Sequence, residues 1–338
     1  MNAHDETYTK FALCREMMDT VGVVRSFDAG RTKNLAQRVA GLGKVLFTGE
    51  GSSRILPAKN AIRKDLTWGA GLCALTDGSR QAATYKLDDF AVFCASNSGR
   101  TKEVVELARR LREAGHEHVY GLTANEGTPL SEQAAKTFVL TCGWEQAVAA
   151  TKSVVEQALL YQALVAQVAG RDAAADLAGA AKKVEAALTM AIPPEIVRAA
   201  ADAGTLYFAG HNDGVAEELT LKANEITRKK SDFLEGTYAV HGIEEVMDAG
   251  DVVFVIEPFR AELGKFREVL TEGVGLQVVA IDTQPAEFPT LQAPDAGELN
   301  PLVFLAAGWN LLVEIGLARG IDLDKPERAR KVGNELTP

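Results

Sequence analysis

The sequence lacks a cysteine framework, an excess of positive charge and a leader-like start, and each absence removes a class of function. Cys14, Cys73, Cys94 and Cys142 are widely scattered, with neither disulfide-type pairing nor metal-ligand spacing. That pattern predicts a reduced, cytoplasmic protein without structural zinc. Cys94 stands in an apolar run, where a small buried thiol is the ordinary outcome. Lys and Arg number 36 against 46 Asp and Glu, a formal charge of −10. Such a field repels nucleic acid and anionic membranes, so neither is an expected partner. The five histidines are dispersed, and no metal or other cofactor is expected. Residues Met1–Thr7 carry no basic n-region or apolar h-region, and no later apolar run reads as long enough to span a bilayer.

What remains is a globular composition, 47% hydrophobic and 24% charged over 338 residues, enough for two domains with separate cores. After an amphipathic stretch near residues 8–27, a packing or dimerisation arm, short apolar runs alternate with helical patterns. Strands are expected near 45–49, 90–95, 118–123 and 137–141, with helices near 55–66 and 101–114. Thr128-Pro129 reads as an N-cap followed by proline at the first helical position. A long alanine-rich helix near 148–169 closes this unit. The plan then recurs, with strands near 206–210, 252–256 and 277–281, helices near 218–229 and 260–272, and a closing helix near 301–318. Alternation of this kind means βαβ units and parallel sheets. The expected fold is therefore α/β, two tandem doubly wound, flavodoxin-like domains related by internal duplication. Boundaries fall at 1–40 for a helical arm, 41–172 for the first domain, 173–203 for a helical connector and 204–338 for the second domain.

Two strand-to-helix loops of the first domain are small and hydroxylated: Gly49-Glu-Gly-Ser-Ser53 and Ser96-Asn-Ser-Gly-Arg-Thr101. Free backbone N–H groups and the positive end of a helix dipole converge at such places, and hydroxyls add neutral donors. Two of them facing one crevice at the carboxyl edge of a parallel sheet make an anion site, although single loops of this composition also serve only as caps and turns. Neither loop is a Walker A or a dinucleotide fingerprint. In the second domain, Glu218, Lys222 and Glu225 share one helical sector, Lys229 extends the row, and His241 follows in Val-His-Gly. A carboxylate and an imidazole supply two proton-transfer groups; the same row equally suits a solvated helix face laced by ion pairs. His211, just after a strand, reads as a polar loop histidine.

These motifs resemble the sugar isomerase (SIS) family over about residues 40–335. Ser96-Asn-Ser-Gly-Arg-Thr101 is similar to its Ser-Gln-Ser-Gly-Glu-Thr phosphate loop, and Gly51-Ser52-Ser53 to its Gly-Thr-Ser loop. Glu145-Gln-Ala-Val-Ala-Ala-Thr-Lys152 resembles a Glu-Ile-Gly-Val-Ala-Ser-Thr-Lys segment that lies by the sugar. Glu218 through Glu225 resembles Glu-Gly-Ala-Leu-Lys-Leu-Lys-Glu, His241-Gly242 the family His-Gly, and Asp324 through Lys331 its C-terminal tail. The resemblance implies a metal-independent phosphosugar aldose–ketose isomerase working through an enediol. Glu225 would be the base, His241 the ring-opening group, and Lys222 and Lys331 further catalytic groups. Phosphate and sugar would meet Ser52, Ser53, Ser96, Asn97, Ser98, Thr101, Ala149 and Thr151. The ligand would be a phosphorylated sugar or aminosugar, and His241 would come from the partner subunit of a homodimer.

The same intermediate also serves an aminosugar-phosphate deaminase or a fructosamine-phosphate deglycase, and SIS-like domains occur as non-catalytic phosphosugar sensors. Without a glutaminase segment or a starting nucleophilic cysteine, ammonia transfer from glutamine is not expected. Arg54 and Arg100 depart from the family pattern; each is either an exposed arginine beside a helix start or a partner for a second anionic group.

Overall fold

Ala91–Ala95 and Val252–Ile256 are apolar at every position and only five residues long. Each is buried along its whole length near the middle of a parallel sheet in the computed structural model, which describes residues 1–330 and 334–336. The first sheet comprises β1 (Lys44–Gly49), β2 (Cys73–Gly78), β3 (Ala91–Ala95), β4 (Val119–Thr123) and β5 (Lys136–Val139) in the order β2-β1-β3-β4-β5. The second comprises β6 (Thr205–Gly210), β7 (Lys230–Glu235), β8 (Val252–Ile256), β9 (Gln277–Asp282) and β10 (Thr290–Gln292) in the order β7-β6-β8-β9-β10. Every pairing is parallel, and both sheets follow one topology. The copies agree in detail: Gly49 ends β1 where a Cβ would meet the carbonyl oxygen of Ala95 at 2.8 Å, and Gly210 ends β6 where one would meet that of Ile256 at 2.9 Å.

The chain divides into two compact units. One holds the first sheet and comprises residues 23–145, 150–177 and 328–338; the other holds the second sheet and comprises residues 1–22, 146–149 and 178–327. In the first-sheet unit, helices α1 (Ile55–Trp68), α2 (Lys102–Glu113) and α3 (Lys152–Val168) flank the sheet. Phe47, Phe93 and Tyr161 pack as one aromatic cluster with ring centroids 4.3 to 5.6 Å apart. Cys94 is fully buried there, and burial pushes its thiol up to about 12. The expected Thr128 cap forms, with a capping box to Ser131 and Pro129 opening the helix.

The second-sheet unit carries α4 (Pro194–Asp202), α5 (Val215–Lys222) and α6 (Asn300–Ala318). Two expectations are corrected here. Gly297–Ala318 does have the length and mean hydropathy, 1.7, of a membrane-crossing helix, yet 83% of that window is buried inside the fold, as befits a core helix. Its Gly308 leaves the space that Leu219 of α5 fills, since a Cβ there would sit 2.4 Å from that side chain. The charged helix does not run on to Lys229. It is α-helical only to Lys222 and continues as a π-helix over Ala223–Thr227, and Arg228 ends it in the left-handed region at φ 56°. Lys229 therefore lies beyond the helix end, and its ammonium binds the Ala201 carbonyl at the end of α4, 2.9 Å away.

Candidate active site

The hydroxyl loops lie where a parallel sheet presents ligands, at the carboxyl ends of β1 and β3 on either side of the point where strand order reverses. Ser96 follows β3 directly and is buried; its Oγ lies 2.9 Å from Thr101 Oγ1 and 3.5 Å from Ser98 Oγ, so three hydroxyls gather at the start of α2. The turn that folds them together passes through Gly99 at φ 67°, where a Cβ would strike Thr128 at 2.4 Å. On the other loop Gly51–Ser53 forms a single 3₁₀ turn leading into α1, with Ser52 buried and Ser53 half-buried. At the start of α2 the Thr101 N–H lies 3.4 Å from Ser96 Oγ and the Lys102 N–H donates to the Asn334 carbonyl at 3.0 Å, so the hydroxyls of the loop rather than these two amides are its open donors.

Asn97 belongs to the same loop but is committed elsewhere. Its amide donates to Glu145 Oε2 at 2.9 Å, and Glu145 also receives the Thr151 backbone N–H and hydroxyl. Thr151 is fully buried and precedes α3, which begins at Lys152 rather than near 148. Ala149 is buried in the short segment 146–149, which groups with the second-sheet unit. Arg100 is an exposed side chain paired with Glu335 at 3.2 Å, and the segment around Glu335 bonds to the loop through Lys102 N–H to the Asn334 carbonyl and Leu336 N–H to the Arg100 carbonyl. Lys331 lies outside the described residues.

In the second-sheet unit the structure brings Glu218, Lys222 and Glu225 together. Lys222 Nζ is 3.2 Å from Glu218 Oε1 and 2.7 Å from Glu225 Oε2. This is not a solvated ladder: Glu218 and Lys222 are buried, and the Glu225 side chain alone reaches solvent, at 27% exposure. Burial works against the ammonium, but Glu225 and Glu218 outweigh it and hold Lys222 above its usual range. The cluster thus sets a buried ammonium between a buried carboxylate and one that reaches solvent from a π-turn. His241 does not join this cluster through a hydrogen bond. It is exposed after a 3₁₀ turn, between Tyr238 at 50% and Val246 at 68% exposure.

The equivalent switch point of the second sheet is built differently. His211 after β6 sits 3.6 Å from Glu257 after β8, with the Phe259 ring 4.2 Å from the imidazole. A carboxylate and an imidazole stand there in place of the hydroxyls that Ser96, Ser98 and Thr101 supply in the first sheet.

Residues 43–167 match the family model described as the SIS domain. The glutamine–fructose-6-phosphate aminotransferase [isomerizing] of Aeropyrum pernix is 28% identical over 320 residues, covering 87% of this chain and 51% of that protein. The chain thus spans about half the length of the curated relatives it matches. Among solved structures, the C-terminal domain of glucosamine-fructose-6-phosphate aminotransferase from Francisella tularensis superposes with a TM-score of 0.78 at 18% identity, covering 94% of this chain and 98% of that one. Glucosamine-6-phosphate deaminase from Thermotoga maritima does so at 0.74 and 19%, covering 95% and 99%. These structural likenesses establish the fold.

Proposed function

From a chain that carries a SIS domain and is homologous to the isomerase region of glutamine–fructose-6-phosphate aminotransferase, we propose a phosphosugar aldose–ketose isomerase. The observation that carries this is the Glu218–Lys222–Glu225 cluster, because a buried ammonium gripping a surface carboxylate at 2.7 Å fixes a base in one rotamer. Glu225 removes the proton alpha to the carbonyl of the open-chain sugar and returns it to the neighbouring carbon through an enediol. Lys222, itself buried, favours the ionised form of that half-buried carboxylate. Ser52, Ser53, Ser96, Ser98 and Thr101 hold the phosphate with hydroxyl and backbone donors, which add no charge of their own. His241 moves the proton between ring oxygen and anomeric hydroxyl, Lys331 assists, and no metal takes part. Ala149 and Thr151 line the sugar.

We further propose that the protein is a homodimer in which His241 serves the partner's site; an exposed imidazole flanked by exposed Tyr238 and Val246 supports this. The four free cysteines support a reducing, cytoplasmic setting. The name of the Thermotoga maritima protein of like fold brings in aminosugar-phosphate deamination as the second reading, since the same base on an amino sugar leads to loss of ammonia.

The test is turnover with a panel of hexose phosphates, aminosugar phosphates and phosphorylated fructosamines, read for ketose, ammonia and amino acid. Glu225→Gln keeps the side-chain shape but cannot take a carbon-bound proton, so turnover falls by about 100-fold or more while ligand affinity survives. Turnover near the wild-type rate in that variant would return the cluster to a structural role.

A further inference from the structure

We propose that Glu145 is the positioning residue of the anion loop: its buried carboxylate fixes Asn97, and through Asn97 the flanking hydroxyls of Ser96 and Ser98. The inference rests on the reading that this loop holds a phosphate. Glu145 has no exposed surface and accepts from five donors, namely Asn97 Nδ2 at 2.9 Å, Thr151 N at 2.7 Å, Thr151 Oγ1 at 3.0 Å, Ser153 Oγ at 2.5 Å and Ser153 N at 3.5 Å. A carboxylate offers about four lone-pair sites, so this one is saturated. The backbone N–H of Thr151, just before α3, and that of Ser153, in its first turn, are thereby turned to the protein's own carboxylate.

Asn97 is held from its other end as well. Its carbonyl accepts from Ala124 N at 2.9 Å, Thr123 Oγ1 at 3.2 Å and Asn125 Nδ2 at 3.3 Å, all at the carboxyl end of β4. The residue between the two serines is thus clamped by its side chain toward α3 and by its backbone toward β4. This revises the place that the family resemblance gives Asn97. One amide hydrogen is committed to Glu145, so the side chain works as a tether for the loop rather than as a free donor to the anion.

The electrostatics sharpen the point. A carboxylate one hydrogen bond behind an anion loop opposes the anion, so whatever Glu145 contributes to binding is geometric. Tether and donor roles then separate by exchanging polarity. Asn97→Asp places two carboxylates in contact, which displaces the loop. Adding Glu145→Gln restores one donor and one acceptor with the direction reversed.

We would measure the affinity of inorganic phosphate and of glucose 6-phosphate by calorimetry, with KM and kcat alongside. Asn97→Asp weakens both ligands by about tenfold or more, and Glu145→Gln/Asn97→Asp returns them to within about threefold of wild type, with the change in KM rather than kcat. A double variant as weak as Asn97→Asp overturns the inference, because an aspartate facing the anion directly would repel it whatever stood behind. Should Asn97→Asp fail to fold, Glu145→Gln alone carries the test: it leaves Asn97 in place and removes a charge that opposes the anion, so lost affinity supports the inference, and unchanged or tighter binding overturns it. Ser98→Ala and Thr101→Ala are the controls. If both bind phosphate as wild type does, the anion-loop reading fails; if they weaken and the rescue is absent, only the role of Glu145 fails.

Discussion

Lys222→Met should be among the most damaging substitutions in the second-sheet unit, for electrostatic rather than steric reasons. Methionine is unbranched and of similar reach, so it fills the volume of a side chain that is 1% exposed. What it removes is the cation between Glu218, fully buried at 3.2 Å, and Glu225 at 2.7 Å. Breaking a buried ion pair by deleting one partner costs about 3–5 kcal/mol, because a charge is left in the interior without compensation. Replacing the whole pair with neutral side chains is often close to neutral, so Glu218→Gln/Lys222→Met should recover most of that loss. Urea unfolding monitored by circular dichroism, at matched m-values, reads both numbers. The pH dependence supplies a second check. Burial lowers and the two carboxylates raise the ammonium's affinity for its proton, with the net shift upward from 10.5. A raised folded value means the contribution is fully present below about 10.5 and is lost as pH climbs above it. Wild type should therefore lose stability in that alkaline window more steeply than Lys222→Met. A single variant that costs less than about 1 kcal/mol, or a double that is no better than the single, would refute the reasoning.

Two further outcomes follow from the site geometry. Mixing inactive Glu225→Gln with inactive His241→Ala subunits should restore part of the turnover through hybrid dimers; no recovery after exchange confirmed by mass would rule out sharing of the two residues across subunits. Gly99→Ala forces a Cβ into a φ 67° turn and to within 2.4 Å of Thr128, so it should cost about 1–3 kcal/mol in denaturant unfolding and weaken phosphate binding, and a variant indistinguishable from wild type in both would mean the turn is not held as described.

The parts of the fold that were legible in the sequence are those where burial and periodicity agree. Strands such as Val252–Ile256 are buried on both faces and read as unbroken apolar runs. The strands that went unread, Cys73–Gly78, Lys230–Glu235 and Thr290–Gln292, all lie at sheet edges. One face of an edge strand meets solvent, so Lys230-Ser-Asp-Phe-Leu-Glu235 shows mixed polarity that no short apolar run betrays. The hydroxyl loops were legible because two serine-rich turns follow buried strands and lead into helices in succession, where a single one would suit a cap or turn, and the structure does gather Ser96, Ser98 and Thr101. Two things at the site were not. A 3.6-residue period cannot announce the π-turn that carries Glu225 beside Lys222, nor the left-handed Arg228 that ends the helix before Lys229. Nor does the period tell a solvated Glu-Lys-Glu row from a buried one, since burial is set by elements distant in sequence, such as α6, whose Gly308 admits the neighbouring Leu219. Glu145 left a fainter trace: an acid six residues before a Thr at a helix start, legible only once the intervening loop is known to fold back. In each case local spacing nominates the residue, and packing from a distant element decides whether its charge is a surface ornament or a held reagent.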